Sequence, residues 1–113
     1  METLEEKLGQ WASGSPGTEA AVELLIETGY WLARAEFVEQ ALTVDGGGAV
    51  IDWVAAAAVA DTVQCSKGER FLLQLACSFA DPDRSVAMSG ISALDGRNLN
   101  RVIDATRTAK FGW

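Results

Sequence analysis

Histidine is absent from the 113 residues of this chain. Histidine is the side chain that normally changes its charge near neutral pH, and it is the commonest metal ligand in proteins. Its absence excludes Ser-His-Asp and Cys-His catalysis, and it excludes zinc sites that require imidazole. We therefore expect a protein that is not an enzyme and that carries no metal or other cofactor.

Cysteine is scarce, since the chain has only Cys65 and Cys77. The two residues do not form a CxxC motif, and a structural zinc site usually needs four Cys or His ligands. Two cysteines are compatible with one disulfide or with two free thiols of a cytosolic protein. Of these two states we expect the free thiols.

Long apolar segments are also missing. The longest aliphatic run, Val54 to Ala60, has seven residues, whereas a membrane-spanning helix needs about 20. The first residues, Met1 to Glu6, contain neither the basic region nor the apolar region of a signal peptide. We expect a soluble protein in the cytoplasm.

Positive charge is sparse in the first part of the chain. The net charge of −7 arises within residues 1–45, which hold nine acidic and two basic residues, while residues 46–113 hold equal numbers of each. Non-specific binding of nucleic acid depends on dense positive charge. The charge pattern therefore disfavours direct nucleic-acid binding.

Apolar residues recur at helical spacing in six segments, and a chain of this length is the size of one domain. Short β-prone segments flank the turn at residues 45–48 and predict a small β-hairpin near residues 43–51. The sequence thus predicts a mainly α fold, a compact single-domain bundle of about six short helices over residues 1–113 with one such hairpin. The second predicted helix begins after a cap at either Ser15 or Thr18 and runs to about residue 28. The other predicted helices span about residues 3–13, 34–42, 53–62, 66–80 and 95–110.

The helix patterns also predict which side chains are buried. The second helix is apolar around most of its circumference, which is typical of a central helix. Trp11 and Trp53 lie on helix faces and are expected in the core. The last helix is expected to turn Leu99, Val102, Ile103 and Thr106 inward, and its arginines away from that face.

Two stretches carry a resemblance to known proteins. The first is the segment 11–21, Trp-Ala-Ser-Gly-Ser-Pro-Gly-Thr-Glu-Ala-Ala, together with Gly-Tyr-Trp-Leu at 29–32; the second is Asp-Gly-Arg-Asn-Leu at 95–99. With these stretches the chain resembles small uncharacterised helical proteins of actinobacteria and their phages. The resemblance implies a cytoplasmic setting and a phage or prophage gene, and it implies no activity.

Three glutamates form the most unusual local pattern. Glu19, Glu23 and Glu27 recur at i, i+4 and i+8 and therefore lie on one helix face, where like charges repel. One interpretation is a binding surface for a basic partner. The other is a solvated face, or a face neutralised by the arginines of the last helix, which are Arg97, Arg101 and Arg107.

Trp31 follows a helix junction and is a second candidate for partner binding. Exposed aromatic residues at such junctions are enriched in interfaces. Such a residue can equally fasten a loose segment to the core.

These observations favour a non-enzymatic protein–protein interaction module, either a homo-oligomer or a small adaptor or modulator. The resemblance adds the more specific hypothesis of a phage-encoded modulator of a host protein. The alternative is an acidic DNA mimic or a nucleic-acid-associated regulator, in which direct binding would use Arg97, Arg101 and Arg107. An enzyme that relies on carboxylates alone ranks lowest.

Overall fold

A computed structural model describes residues 3–112. Over this range the fold is mainly α with one two-stranded hairpin. The α-helices are α1 (Leu4–Ala12), α2 (Pro16–Thr28), α3 (Ala35–Ala41), α4 (Trp53–Thr62), α5 (Lys67–Ala80) and α6 (Gly96–Phe111). The strands are β1 (Leu42–Asp45) and β2 (Gly48–Ile51), and short 3₁₀ helices occupy Trp31–Ala33 and Met88–Ala93. The predicted fold class is confirmed.

Side-chain caps fix where several helices begin. Thr3, Asp52, Ser66 and Asp95 each accept hydrogen bonds from backbone N–H groups of the helix that follows. The Glu69 carboxylate in turn accepts a hydrogen bond from the Ser66 backbone N–H, and the two hydrogen bonds form a capping box. Because such caps satisfy N–H groups that have no partner within the helix, they define the helix starts locally.

The hairpin is antiparallel, with Leu42 opposite Ile51 and Asp45 opposite Gly48. The Asp45 carboxylate closes its turn, because Oδ1 accepts hydrogen bonds from the backbone N–H groups of Gly47 at 2.8 Å and Gly48 at 3.0 Å. These donors are therefore occupied within the turn. The glycine-rich segment is a turn, as the sequence predicts.

Helix α2 is the central element and packs against α1, α5 and α6. Its buried residues are Ala20, Ala21, Val22, Leu24 and Leu25. A Cβ atom at Gly17 would clash with the backbone carbonyl of Phe79, so the start of α2 lies directly against the end of α5. The predicted central position of this helix is confirmed.

Trp11 is not a core residue, and the prediction that it would be is wrong. It is 38% exposed and stacks on Trp53, with 6.3 Å between ring centroids and 21° between ring planes. Helix α1 buries Leu8 and Ala12. Trp11 lies at the border of that narrow apolar stripe, beside a cleft that it lines together with residues of the hairpin.

The inward face of α6 also differs from the prediction. The buried residues are Val102, Ala105 and Thr108. Of the residues predicted to face inward, Leu99 is 36% exposed, Ile103 is 40% exposed, and Thr106 is exposed as well. Small side chains allow α6 to lie close along α2, and the larger aliphatic residues Leu99 and Ile103 of α6 remain at the edge of the contact between the two helices. Packing between two helices thus overrides the simple apolar periodicity of one of them.

Candidate functional site

The three predicted glutamates line a groove of about 280 Å³ between α1, α2 and α6. We call this site the acidic groove. Its lining residues are Gly9, Ala12, Glu19, Val22, Glu23, Ile26, Glu27 and Thr108. The groove therefore combines an apolar floor with carboxylates that come from a single helix.

Local sequence explains this arrangement. The 3.6-residue period of α2 brings Glu19, Glu23 and Glu27 onto one side of the helix. On the opposite wall, α1 presents residues without bulk, and a Cβ added at Gly9 would contact nothing within 4 Å. The space above Gly9 is therefore open, and the groove stays accessible from that side.

Glu23 is the most enclosed of the three carboxylates. Its Oε1 and Oε2 atoms each lie 3.1 Å from the Thr108 hydroxyl, which donates from α6. Burial raises the pKa of Glu23 most, the negative charges of Asp104 and Glu27 raise it further, and the Thr108 hydrogen bond opposes these effects. The carboxylate thus lies in a negative environment that disfavours its charged form.

No ion pair within the described residues includes these carboxylates. The ion pairs within residues 3–112 join Arg34 to Glu36, Arg84 to Asp81, and Arg107 to Asp104. None of them includes a glutamate of the acidic groove. Among the described residues, the arginines of the last helix therefore form no direct ion pair with the stripe.

The three arginines of α6 share one broad side of the helix. Arg97 and Arg101 are about 40° apart around the helix axis, and Arg107 is about 120° from Arg101. Arg101 is half-buried and donates to the Asn98 side chain at 3.1 Å, while Arg107 lies 3.6 Å from Asp104. Two of the three arginines thus already have polar neighbours on their own helix.

Trp31 is fully buried, so it is not available to a partner in this structure. Its Nε1 donates to the backbone carbonyl of Glu69 at 2.8 Å, and its ring meets Tyr30 edge-on with 5.0 Å between centroids. Trp31 fastens the α2–α3 connection to α5. This agrees with the second interpretation of the sequence, in which Trp31 fastens a loose segment to the core.

Both cysteines are free thiols, as predicted. Cys77 is buried, and burial raises its pKa to about 12, so its thiol is neutral at physiological pH. Within residues 3–112, no cluster of three or more Cys, Asp and Glu side chains has the arrangement of a metal site. The same part of the chain contains no helix with the length and apolar character needed to cross a membrane.

Sequence reasoning identified the glutamates of the groove but missed its other walls. Gly9, Ala12 and Thr108 carry no local signal of a site, because their role arises only when α1 and α6 meet α2. Thr108 lies 85 positions from Glu23 along the chain.

Comparison of the chain with protein-family models, curated proteins and solved structures gave no match. The resemblance to actinobacterial and phage proteins stays a prediction.

Proposed function

We propose that this protein is a non-enzymatic protein–protein interaction module that binds a basic segment of its partner in the acidic groove. One observation carries the proposal: Glu19, Glu23 and Glu27 line one side of a groove with an apolar floor, and no described ion pair includes them. Complementary charge gives an interface specificity and a faster association rate.

A lysine or arginine side chain suits both parts of the groove. Its aliphatic stem covers apolar surface while its charged end reaches polar groups. Val22 and Ile26 provide the apolar surface, and the carboxylates stand beside them. Burial is the main cause of the raised pKa of Glu23, and repulsion from Asp104 and Glu27 adds to it; a bound cation would relieve that repulsion.

The partner is either a different protein or a second copy of this chain. A different protein agrees with the hypothesis of a modulator of a host protein, which rests on the resemblance alone. In a homo-oligomer, the basic segment would come from α6 of the second copy. Sedimentation analysis of the purified chain distinguishes these two forms of the proposal.

The test uses a short fluorescein-labelled helical peptide of leucine and lysine, called here the lysine peptide. In the matched control peptide, glutamine replaces every lysine. The groove variant combines Glu19→Gln, Glu23→Gln and Glu27→Gln. The charge-matched variant combines Glu5→Gln, Glu39→Gln and Asp61→Asn, which change exposed residues outside the groove.

Fluorescence anisotropy at constant ionic strength measures the affinities. We expect the groove variant to lose affinity for the lysine peptide by about tenfold or more, because three charges leave the contact. The charge-matched variant should lose much less. Gly9→Leu should also weaken binding, since it fills the groove without changing its charge. Equal losses in the two triple variants would contradict the proposal.

A further inference from the structure

A second and larger cleft lies between α1 and the β-hairpin. Its volume is about 460 Å³, within the range of roughly 300–1,000 Å³ common for ligand sites. It shares no residue with the acidic groove. Its lining residues are Lys7, Gln10, Trp11, Thr43, Asp45, Gly47, Gly48, Ala49 and Val50.

Trp11 gives this cleft a partly open aromatic wall. Trp53 stacks on Trp11 with 6.3 Å between ring centroids. Trp11 nevertheless remains 38% exposed, so part of its side chain is open to a ligand. Val50, which is 42% exposed, adds apolar surface to the same cleft.

The polar groups of the cleft have free hydrogen-bonding capacity. Two backbone N–H groups of the turn hold the Asp45 carboxylate through Oδ1. Within residues 3–112, neither Oδ2 of Asp45 nor the side chains of Lys7, Gln10 and Thr43 take part in a hydrogen bond. Together they offer donors and acceptors in a small space, with one carboxylate already oriented.

Charge distinguishes this cleft from the acidic groove. Within residues 3–112, the charged residues that line the cleft are Lys7 and Asp45, and their charges cancel. A balanced site has no strong preference for a polyanion or for a basic peptide. Its many polar and glycine residues also differ from the apolar walls that enclose lipids and other hydrophobic ligands.

We propose that this cleft binds a neutral saccharide. A pyranose ring has an apolar C–H face that can stack on an indole ring, and hydroxyl groups around its edge that both donate and accept hydrogen bonds. Trp11 matches the face, and Lys7, Gln10, Thr43 and Asp45 match the edge. The proposal is independent of the acidic groove.

NMR titration of the ¹⁵N-labelled protein tests this proposal. The probes are cellobiose, maltose, lactose and N,N′-diacetylchitobiose, with decaproline as a peptide probe of aromatic clefts. We expect at least one disaccharide to shift the Trp11 indole N–H and the amides of Gly47 and Gly48 in a saturable manner.

Variants locate the response in the cleft. Trp11→Ala should remove the saturable shifts of the two glycine amides. Gln10→Ala leaves the tryptophan stack intact and should weaken binding by about fivefold, the usual effect of one hydrogen bond. Met88→Ala, which changes an exposed apolar residue outside the cleft, should leave binding unchanged.

Three results would overturn the proposal. One is the absence of any shift at about 10 mM disaccharide, a concentration that would nearly saturate a site with a millimolar Kd. Another is unchanged saccharide binding in Gln10→Ala with the fold intact by circular dichroism. The third is saturable binding of decaproline without a response to any saccharide.

Discussion

At Glu23, several influences act on one carboxyl group. Burial and the neighbouring charges of Asp104 and Glu27 oppose its ionisation, and the Thr108 hydroxyl favours it. The net effect is a raised pKa, so ionisation of Glu23 destabilises the folded state. Such a cost persists in a native protein when another role for the group outweighs it, and partner binding is the role that we propose.

Glu23→Gln should stabilise the isolated protein at pH 7. The substitution removes the repulsion of residue 23 with Glu19 and Glu27 at i±4, an expected gain of about 0.5 kcal/mol in the free energy of unfolding. The amide oxygen of the new glutamine can still accept a hydrogen bond from Thr108. The folded-state pKa lies above the ordinary value of 4.5, so the destabilisation of wild type develops as the pH rises through that raised pKa. Below 4.5 both states are protonated and the difference should vanish.

Urea unfolding of both proteins at pH 7 and in acid measures this difference. A variant that is less stable than wild type at pH 7 would show that the Thr108 contact outweighs burial and repulsion.

At the scale of elements, α6 shows how packing selects the buried face of a helix. Val102, Ala105 and Thr108 are buried, and Ile103 lies at the edge although it is more apolar than two of them. The contact with α2 decides this, because small residues let the two helices approach closely. It also brings Thr108 to the acidic groove, so the placement of α6 forms part of the site.

Two neighbouring substitutions test this orientation. Val102→Ala should cost about 2 kcal/mol in the free energy of unfolding, because it removes buried methyl groups and leaves a cavity. Ile103→Ala removes more atoms but should cost less than about 1 kcal/mol, since that side chain is already partly hydrated. Denaturant unfolding measures both. The reverse order of the two losses would mean that α6 is rotated relative to this description.

A feature can be predicted from the sequence when the residues that produce it are close together in the chain. Ser66 and Glu69 form a capping box within four residues, and Asp45 closes the hairpin turn within its own strand end, so the sequence predicts both. The burial of Trp31 depends on the distant carbonyl of Glu69, and the glutamate stripe becomes a groove only beside Gly9 and Thr108. Such long-range effects leave no periodic signal in the sequence.

For the molecule as a whole, charge is unevenly distributed along the chain. The excess negative charge belongs to residues 1–45, and the described ion pairs leave the carboxylates of the acidic groove without a cation. Exposed ion pairs contribute about 0–1 kcal/mol each to stability. The asymmetry therefore matters more for association between molecules than for folding.

Binding of the lysine peptide should weaken as salt rises from low to physiological concentration. Exposed charges farther apart than about 8 Å are largely screened at physiological ionic strength, and the groove is open to solvent. The groove variant should show a shallower salt dependence than wild type. It should keep its fold, because it removes like-charge repulsion and a Gln at position 23 can still accept from Thr108. Anisotropy titrations at several salt concentrations measure both slopes. Identical slopes in the two proteins would mean that the glutamate stripe is only a solvated face.

The most direct test of the central claim is the position of the bound lysine peptide on the protein. The measurement is a map of backbone amide shifts in the ¹⁵N-labelled chain during titration with the lysine peptide. We predict that the largest shifts occur at Gly9, Glu19, Glu23, Glu27 and Thr108, which belong to three helices and meet only in the acidic groove. The largest shifts at other acidic positions, such as Glu5, Glu39 and Asp61, would contradict the account.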